Sequence, residues 1–149
     1  MASACPKQII LAGRSVDKIS PVVEEITKIN PKIQVTIVAV DLCDNASIRK
    51  AAAEINANVA TIDVIMCCAG TMAVRKFTPS ADGVESQFGA NYLGHFLLTN
   101  LIIAKLAKTA TFVTVTSMGY ELAEVNFEKP NFEVIRLLCL EYSVRVIYT

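Results

Sequence analysis

The stretch Asp63-Val-Ile-Met-Cys-Cys-Ala-Gly70 decides how the chain folds. Its apolar run from Val64 to Cys68 is flanked by helical patterns, which predicts a strand of a parallel sheet that is covered on both faces. Gly70 has no side chain, so the backbone can pass closely by whatever lies at the carboxyl end of that strand. Ligands bind at this end in open α/β sheets. The stretch therefore predicts a binding site after the strand.

Strands and helices alternate on both sides of this stretch. Strands are predicted over Gln8 to Ala12 and Lys32 to Val40, and apolar residues at helical spacing predict a helix between them. The alternation predicts an α/β fold with a doubly wound, Rossmann-like parallel sheet in a single domain over residues 1–149. The remaining predicted elements are a helix through Ile48 and Ile55 that Asn45 or Ser47 caps, a helix over Val84 to Ala107, a strand over Thr111 to Ser117, a loop over Glu121 to Pro130, a helix over Phe132 to Leu140 and a strand over Tyr142 to Tyr148.

Composition excludes several classes of function. The 149 residues are 53% apolar and carry 14 basic and 14 acidic side chains, so no nucleic-acid surface and no polybasic membrane anchor is expected. The longest apolar stretch, Phe96 to Ala107, is too short and too polar to span a bilayer. Five cysteines without Cys-x-x-Cys spacing and a single histidine predict no metal site and reduced thiols. With no visible signal peptide, we expect a cytoplasmic protein.

Three motifs, in order, resemble the short-chain dehydrogenase/reductase family. Cys67-Cys68-Ala69-Gly70 is similar to the family's Asn-Asn-Ala-Gly, and Asn91-Tyr-Leu-Gly94-His-Phe-Leu-Leu-Thr99 resembles the helix that carries its catalytic Asn. Thr114-Val-Thr-Ser117 resembles the strand that ends in its catalytic Ser. The resemblance covers roughly residues 5 to 120. It implies an NADP(H)-dependent interconversion of a small-molecule carbonyl and alcohol, and the Gly-His-Phe-Leu-Leu-Thr run is similar to members that act on lipophilic substrates.

The resemblance implies a cofactor role for the residues after the first visible strand. Arg14 stands where the fold meets the adenosine ribose, and Arg there favours a 2′-phosphate and hence NADP(H) over NAD(H). Ser15 and Lys18 add a hydroxyl and a second cation. The alternative is that Arg14 and Lys18 are ordinary surface cations.

Two further segments are implied to meet the cofactor. Asp41 and Leu42 resemble the pair beside the adenine, where Asp41 accepts from the amino group and Leu42 covers the ring; the alternative is a loop Asp near a helix start. At Cys67, Cys68, Ala69 and Gly70 the contact is expected mainly from the backbone, because cysteine is a weak donor and acceptor. A redox role for these thiols would need a lowered pKa.

Asn91 and Ser117 are the candidate catalytic residues. The resemblance implies that Asn91 holds a water of the proton relay and that Ser117 hydrogen-bonds the substrate carbonyl. Taken alone, Asn91 also fits an exposed helix face, and Ser117 also fits a turn or a cap. A hydrolase with His95 and Ser117 is disfavoured, because Ser117 lies outside a Gly-x-Ser-x-Gly motif.

Two motifs of the family do not occur in the sequence. The Thr-Gly-x-x-x-Gly-x-Gly turn, which approaches the pyrophosphate, has no counterpart before Arg14, and no Tyr has a Lys four residues later. We therefore expect an incomplete fold that lacks the first strand and the C-terminal part, with NADP(H) binding weak or lost and catalysis impaired. The sheet is expected to close or fill the gap within the chain, or to associate with other copies through exposed strand edges. The alternative function is a non-catalytic remnant or interaction module.

Overall fold

A computed structural model of the protein describes residues 2–72, 74 and 76–117. Parallel strands alternate with helices, which confirms the Rossmann-like α/β class. The chain divides into two compact units, Met1–Asp41 and Leu42–Thr149, and each is described by itself. The elements predicted after Tyr120 lie outside the described residues.

The first unit is a strand-helix-strand unit. It consists of β1 (Gln8–Gly13), α1 (Val16–Ile29) and β2 (Gln34–Ala39), and β1 pairs with β2 in parallel. Its core is formed by the buried side chains of Ile9, Ile26 and Ile33. The apolar spacing that predicted the helix places Ile26 on this buried face of α1.

The second unit begins with α2 (Asn45–Asn58). Its N-cap is Asp44, whose carboxylate accepts hydrogen bonds from the backbone N–H groups of Ala46 (2.8 Å) and Ser47 (3.2 Å). The prediction that Asn45 or Ser47 caps this helix is therefore wrong. Asp44 has the extended backbone that a cap residue needs, and its side chain reaches the first free N–H groups of the helix.

A composite helix follows the connection after β3 (Ile62–Cys67). It is built from α3 (Ser86–Phe88), a π-helical turn (Gly89–Leu93) and α4 (Gly94–Ile102) in unbroken succession. The helix α4 packs against α2, and the Asn56 side-chain amide donates to the carbonyl oxygen of Leu101 at 2.9 Å. A 3₁₀ turn (Ile103–Lys105) ends it.

The last described strand is β4 (Leu106–Thr114), which pairs in parallel with β3. The helix predicted up to Ala107 therefore ends five residues early, and the strand starts earlier than predicted. Leu106 and Ala107 are apolar and suit either element, so pairing of Leu106 with Ile62 decides between them.

Direct closure of the sheet, one of the predicted outcomes, does not occur among the described strands, and the expectation that β3 is covered on both faces is wrong. The described strands form two two-stranded sheets, β1–β2 and β3–β4, and not one four-stranded sheet closed by direct pairing; filling by Tyr142 to Tyr148 lies outside the described residues. The strand β3 is not covered on both faces, because Val64 is 45% exposed and Met66 is 47% exposed. These two side chains alternate with the buried Cys67, which lies on the opposite face.

No helix within the described residues is long and apolar enough to cross a membrane.

Candidate functional site

In the first unit, the predicted cofactor residues follow the carboxyl ends of two paired strands. Gly13 and Ala39 form the last pair of the ladder, and the Val40 N–H donates to the Gly13 carbonyl oxygen at 3.1 Å. Arg14 follows Gly13 directly, and Asp41 follows Ala39 after Val40, so both leave the sheet at the same edge. Arg14 is exposed, as a residue that meets a ligand from solvent must be.

The helix α1 starts at this edge with Ser15 as its N-cap residue. The Ser15 side chain makes no capping hydrogen bond, so its hydroxyl is not used to satisfy the helix. Lys18 is exposed on the first turn, and its own N–H donates to the Ser15 carbonyl oxygen at 3.2 Å. Asp17 lies on the same turn and opposes the two cations at a place where the helix dipole favours an anion.

In the second unit, the segment after β3 passes close to the composite helix. A Cβ atom added to Gly70 would lie 3.1 Å from Oδ1 of Asn91, which is tighter than ordinary packing allows. Asn91 holds the next residue at both backbone groups: Oδ1 accepts from the Thr71 N–H at 2.7 Å, and Nδ2 donates to the Thr71 carbonyl oxygen at 2.9 Å. Asn91 is therefore not a polar residue on an exposed helix face, as the alternative had it.

Three other polar side chains of the composite helix hold the same segment. The His95 ring nitrogen Nε2 lies 2.7 Å from the Ala69 carbonyl oxygen, and Gln87 Oε1 accepts from the Val74 N–H at 3.3 Å. The Thr99 side chain hydrogen-bonds the Cys67 thiol. We call Gln87, Asn91, His95 and Thr99 the polar stripe. The polar stripe ties Cys67, Ala69, Thr71 and Val74 to the helix.

The spacing of the polar stripe explains how one helix can hold an irregular segment. Its members are four residues apart, and four residues of an α-helix advance about 6 Å, close to the roughly 6.6 Å that two residues of an extended chain cover. A four-residue step overshoots a helical turn of about 3.6 residues. The wider π-helical turn at Gly89–Leu93 offsets that overshoot, so the four side chains stay on one face.

Burial raises the pKa of the Cys67 thiol, and the hydrogen bond with Thr99 opposes that effect without cancelling it. A buried thiol with a raised pKa is a poor nucleophile, because the thiolate is the reactive form. The neighbouring Cys68 is exposed. Cys67 therefore acts as a small packed side chain beside the helix, and not as a redox centre.

Leu42 is in contact with the start of α4. A Cβ atom added to Gly94 would overlap the Leu42 carbonyl oxygen and would lie 2.7 Å from the Leu42 Cβ. The helix can approach this backbone only because residue 94 is glycine. The structure thus gives Leu42 a packing role at α4.

Ser117 is the last residue that the structure describes, and it is exposed. It follows β4, whose pairing continues beyond the strand because the Val115 N–H donates to the Cys67 carbonyl oxygen at 3.0 Å. Cys67 thereby belongs to this ladder and is also bonded to Thr99 of the polar stripe. Both candidate catalytic residues, Asn91 and Ser117, lie in the second unit.

Sequence reasoning missed Gln87, His95 and Thr99 as site residues. His95 was considered only as a hydrolase residue, and the other two were not considered. The available signal was a polar residue at every fourth position from Gln87 to Thr99.

Parallel strands joined by helices define a Rossmann-like α/β protein. The sequence profile described as short chain dehydrogenase matches residues 2–127. The chain therefore belongs to the short-chain dehydrogenase family of oxidoreductases.

Similarity to individual proteins agrees with the family. The chain is 35% identical over 122 residues to mouse (Mus musculus) retinol dehydrogenase 11, an alignment that covers 80% of this chain and 38% of that protein. A crystal structure of an uncharacterized protein from Mycobacterium Paratuberculosis superposes with a TM-score of 0.73 at 34% identity, over 91% of this chain and 46% of that one. A blue fluorescent protein from a metagenomic library, solved in complex with NADPH, has a TM-score of 0.64 at 17% identity, over 80% of this chain and 49% of that one.

The chain spans 38% to 52% of the length of the first curated relatives that it matches.

Proposed function

We propose that the chain is the nucleotide-binding part of an NADP(H)-dependent oxidoreductase that interconverts a carbonyl and an alcohol. The observation that carries this proposal is the exposed Arg14 at the carboxyl edge of the β1–β2 pair, beside the start of α1. A planar guanidinium donates two parallel hydrogen bonds to a phosphate, which matches the 2′-phosphate that distinguishes NADP(H) from NAD(H).

The surroundings of Arg14 fit this ligand. Lys18 supplies a second cation on the first helical turn, and the Ser15 hydroxyl makes no capping hydrogen bond. Asp41 leaves the same edge and is proposed to accept from the adenine amino group. The Asp17 carboxylate works against the phosphate and sets an upper limit on its affinity.

The remaining cofactor contact is proposed for the backbone of Cys67 to Gly70. Leu42 is proposed to cover the adenine ring. In the family reaction the nicotinamide ring donates or accepts a hydride. Ser117 is proposed to hydrogen-bond the substrate carbonyl, and Asn91 to hold a water for proton transfer.

A lipophilic alcohol or carbonyl is the proposed substrate class. Its support is the similarity to mouse retinol dehydrogenase 11, whose name states a lipophilic alcohol. NADP(H) as the cofactor draws support from the neighbour solved with NADPH. Location in the cytoplasm and a single domain stay predictions.

We also propose that these 149 residues alone do not catalyse the interconversion of carbonyl and alcohol. The sequence contains no Gly-rich pyrophosphate turn and no Tyr-x-x-x-Lys pair, and positioning and proton transfer each contribute orders of magnitude to rate. NADPH oxidation with a retinoid aldehyde should stay at the background rate. Turnover that survives Tyr142→Phe and is lost in Ser117→Ala would contradict this proposal.

Titration with two nucleotides tests the cofactor assignment. Calorimetry of the chain should give tighter binding of 2′,5′-ADP than of 5′-AMP, by about tenfold for a charge-assisted contact. Arg14→Ala should remove the preference, whereas Lys28→Ala, at the far end of the same helix, should keep it. Equal binding of both nucleotides by the unaltered chain would discard NADP(H).

A second candidate function, an interaction module that associates with itself, has one supporting observation. Val64 and Met66, which share one face of β3, are 45% and 47% exposed, which is unusual for large apolar strand residues. Sedimentation should show association that grows with concentration and weakens in Met66→Lys. A monomer at all concentrations would exclude this function.

A further inference from the structure

His95 makes a hydrogen bond to a residue outside its own helix. The 2.7 Å contact between Nε2 and the Ala69 carbonyl oxygen joins two segments that are 26 residues apart in the chain. A carbonyl oxygen can only accept, so Nε2 carries the proton and the neutral ring is the Nε2–H tautomer. The bond therefore fixes both the ring and the carbonyl that it meets.

The neighbouring members of the polar stripe leave this carbonyl little freedom. Thr71, two residues on, is held at both backbone groups by Asn91. Cys67, two residues back, is held by Thr99 and by the N–H of Val115. Thr99 in turn donates to the His95 carbonyl oxygen at 2.7 Å.

Hydrogen bonds thus hold Cys67, Ala69 and Thr71, whereas the polar stripe makes none of these bonds to the two residues between them. Cys68 and Gly70 are exposed, and each lies between two held residues. Because the backbone of Cys67 to Gly70 offers its groups to a ligand only in one conformation, whatever fixes Ala69 also fixes the groups on either side of it. The bond from His95 holds Ala69, which lies between the held residues Cys67 and Thr71.

We propose that His95 is a positioning residue for the nucleotide cofactor: through the Ala69 carbonyl it holds the backbone of Cys68 and Gly70 in the conformation that binds NADP(H). This inference rests on the proposed function, which assigns a cofactor contact to that backbone. It adds a residue that acts on the contact without touching the cofactor.

Two substitutions at His95 separate the hydrogen bond from the packing of the ring. His95→Leu fills similar space but cannot donate, whereas His95→Gln carries an amide nitrogen that can reach the place of Nε2. His95→Leu should weaken NADP⁺ binding about three- to tenfold, the range that one hydrogen bond covers, and His95→Gln should restore most of the loss. Asn100→Ala is the control, because Asn100 is exposed on the same helix and its side-chain amide donates to the Phe96 carbonyl oxygen of that helix.

Backbone NMR of the full 149-residue chain gives the readout that a general loss of stability would not reproduce. Addition of NADP⁺ should shift the Gly70 and Thr71 amide signals in the unaltered chain, in His95→Gln and in Asn100→Ala, and should shift them much less in His95→Leu. The imidazole ¹⁵N shifts of the unaltered chain should be those of the Nε2–H tautomer.

The outcomes distinguish this inference from the cofactor assignment. The preference for 2′,5′-ADP over 5′-AMP depends on Arg14 and should be the same in His95→Leu. If the unaltered chain does not prefer 2′,5′-ADP over 5′-AMP, the proposed function is overturned, and this inference with it. Two results would overturn this inference alone while the nucleotide preference is preserved. One is that NADP⁺ does not shift the Gly70 amide signal of the unaltered chain, and the other is that it shifts this signal in His95→Leu as much as in the unaltered chain.

Discussion

The two units differ in what they present at the carboxyl ends of their strands. The first presents the exposed charged side chains of Arg14 and Lys18 at a strand-helix edge. The second presents backbone, and the polar stripe holds that backbone from behind. Charges that act through solvent tolerate change and respond to salt, whereas a held backbone depends on close packing. Substitutions in the second unit should therefore affect stability as well as affinity, whereas those in the first should affect affinity.

Gly94→Ala should break the second unit most severely. The new Cβ would overlap the Leu42 carbonyl oxygen and lie 3.0 Å from the Leu42 carbonyl carbon, and backbone cannot move aside as a flexible side chain can. We expect a loss of about 3 kcal/mol in the free energy of unfolding, the upper part of the usual range for overpacking. Urea denaturation followed by circular dichroism measures it.

Gly89→Ala is the matched control, since its nearest new neighbour, the Ser80 Cβ, would be an ordinary 3.8 Å away. Equal losses in both variants would show that contact with Leu42 does not determine the result, because Ala is favoured over Gly within a helix and should not by itself cause a loss.

Substitution at Asn91 should have the next largest effect. Asn91→Leu leaves the Thr71 N–H and carbonyl oxygen without their partners, which should cost about 2 kcal/mol. Thr71→Val provides the contrast at the same place. The Thr71 hydroxyl is buried and has no hydrogen-bond partner within the described residues, so its removal should be neutral or slightly stabilising.

Chemical denaturation of both variants decides the matter. Similar destabilisation by Asn91→Leu and Thr71→Val would mean that side-chain volume, and not the two backbone bonds, holds Thr71 in place.

The contrast between the units also explains what the sequence could predict. The strands β1 and β3 follow from apolar runs, and the close approach of the backbone after β3 follows from Gly70, whose close neighbour is Asn91. These signals are local. The bonds from His95 and Thr99 join residues that are distant in the chain, so the four-residue spacing could mark these side chains but could not show which residues they contact.

Other errors have the same origin. The exposure of Val64 and Met66 depends on which layers cover β3, and the end of the composite helix depends on the pairing of Leu106 with Ile62. An apolar run reports that a strand is suited to burial, not that both of its faces are covered.

Thiol labelling should show a smaller difference within the second unit. Cys67 is buried with a raised pKa and Cys68 is exposed, so iodoacetamide at pH 8 should modify Cys68 at least about tenfold faster, because thiolate fraction and access both favour it. Peptide mass spectrometry over time measures both rates in one sample. Comparable rates would mean that the segment opens readily and is not held by the polar stripe.

The same pKa shift gives a pH dependence of stability. A thiol whose folded pKa is raised above its ordinary value of 9.0 contributes stability that is fully present below pH 9 and is lost as the pH rises through the folded pKa. Cys67→Ser should flatten the decline of the unfolding free energy above pH 9. Cys68→Ser, at the exposed neighbour, should leave the decline unchanged.

The smallest effect is expected at Asp17, where the open edge of the first unit should respond without any change in fold. Asp17→Asn removes a carboxylate from the first turn of α1, on the side where Arg14 and Lys18 are proposed to hold a 2′-phosphate. Binding of 2′,5′-ADP should tighten by about twofold at low salt, because exposed charges interact weakly through water, and the gain should vanish near 0.5 M salt, where screening shortens their reach to a few ångströms. Asp63→Asn removes an equally exposed carboxylate from the second unit and should change nothing. A gain that persists at high salt would point to a direct contact, and tightening by Asp63→Asn would show that net charge, and not the position of Asp17, controls the affinity.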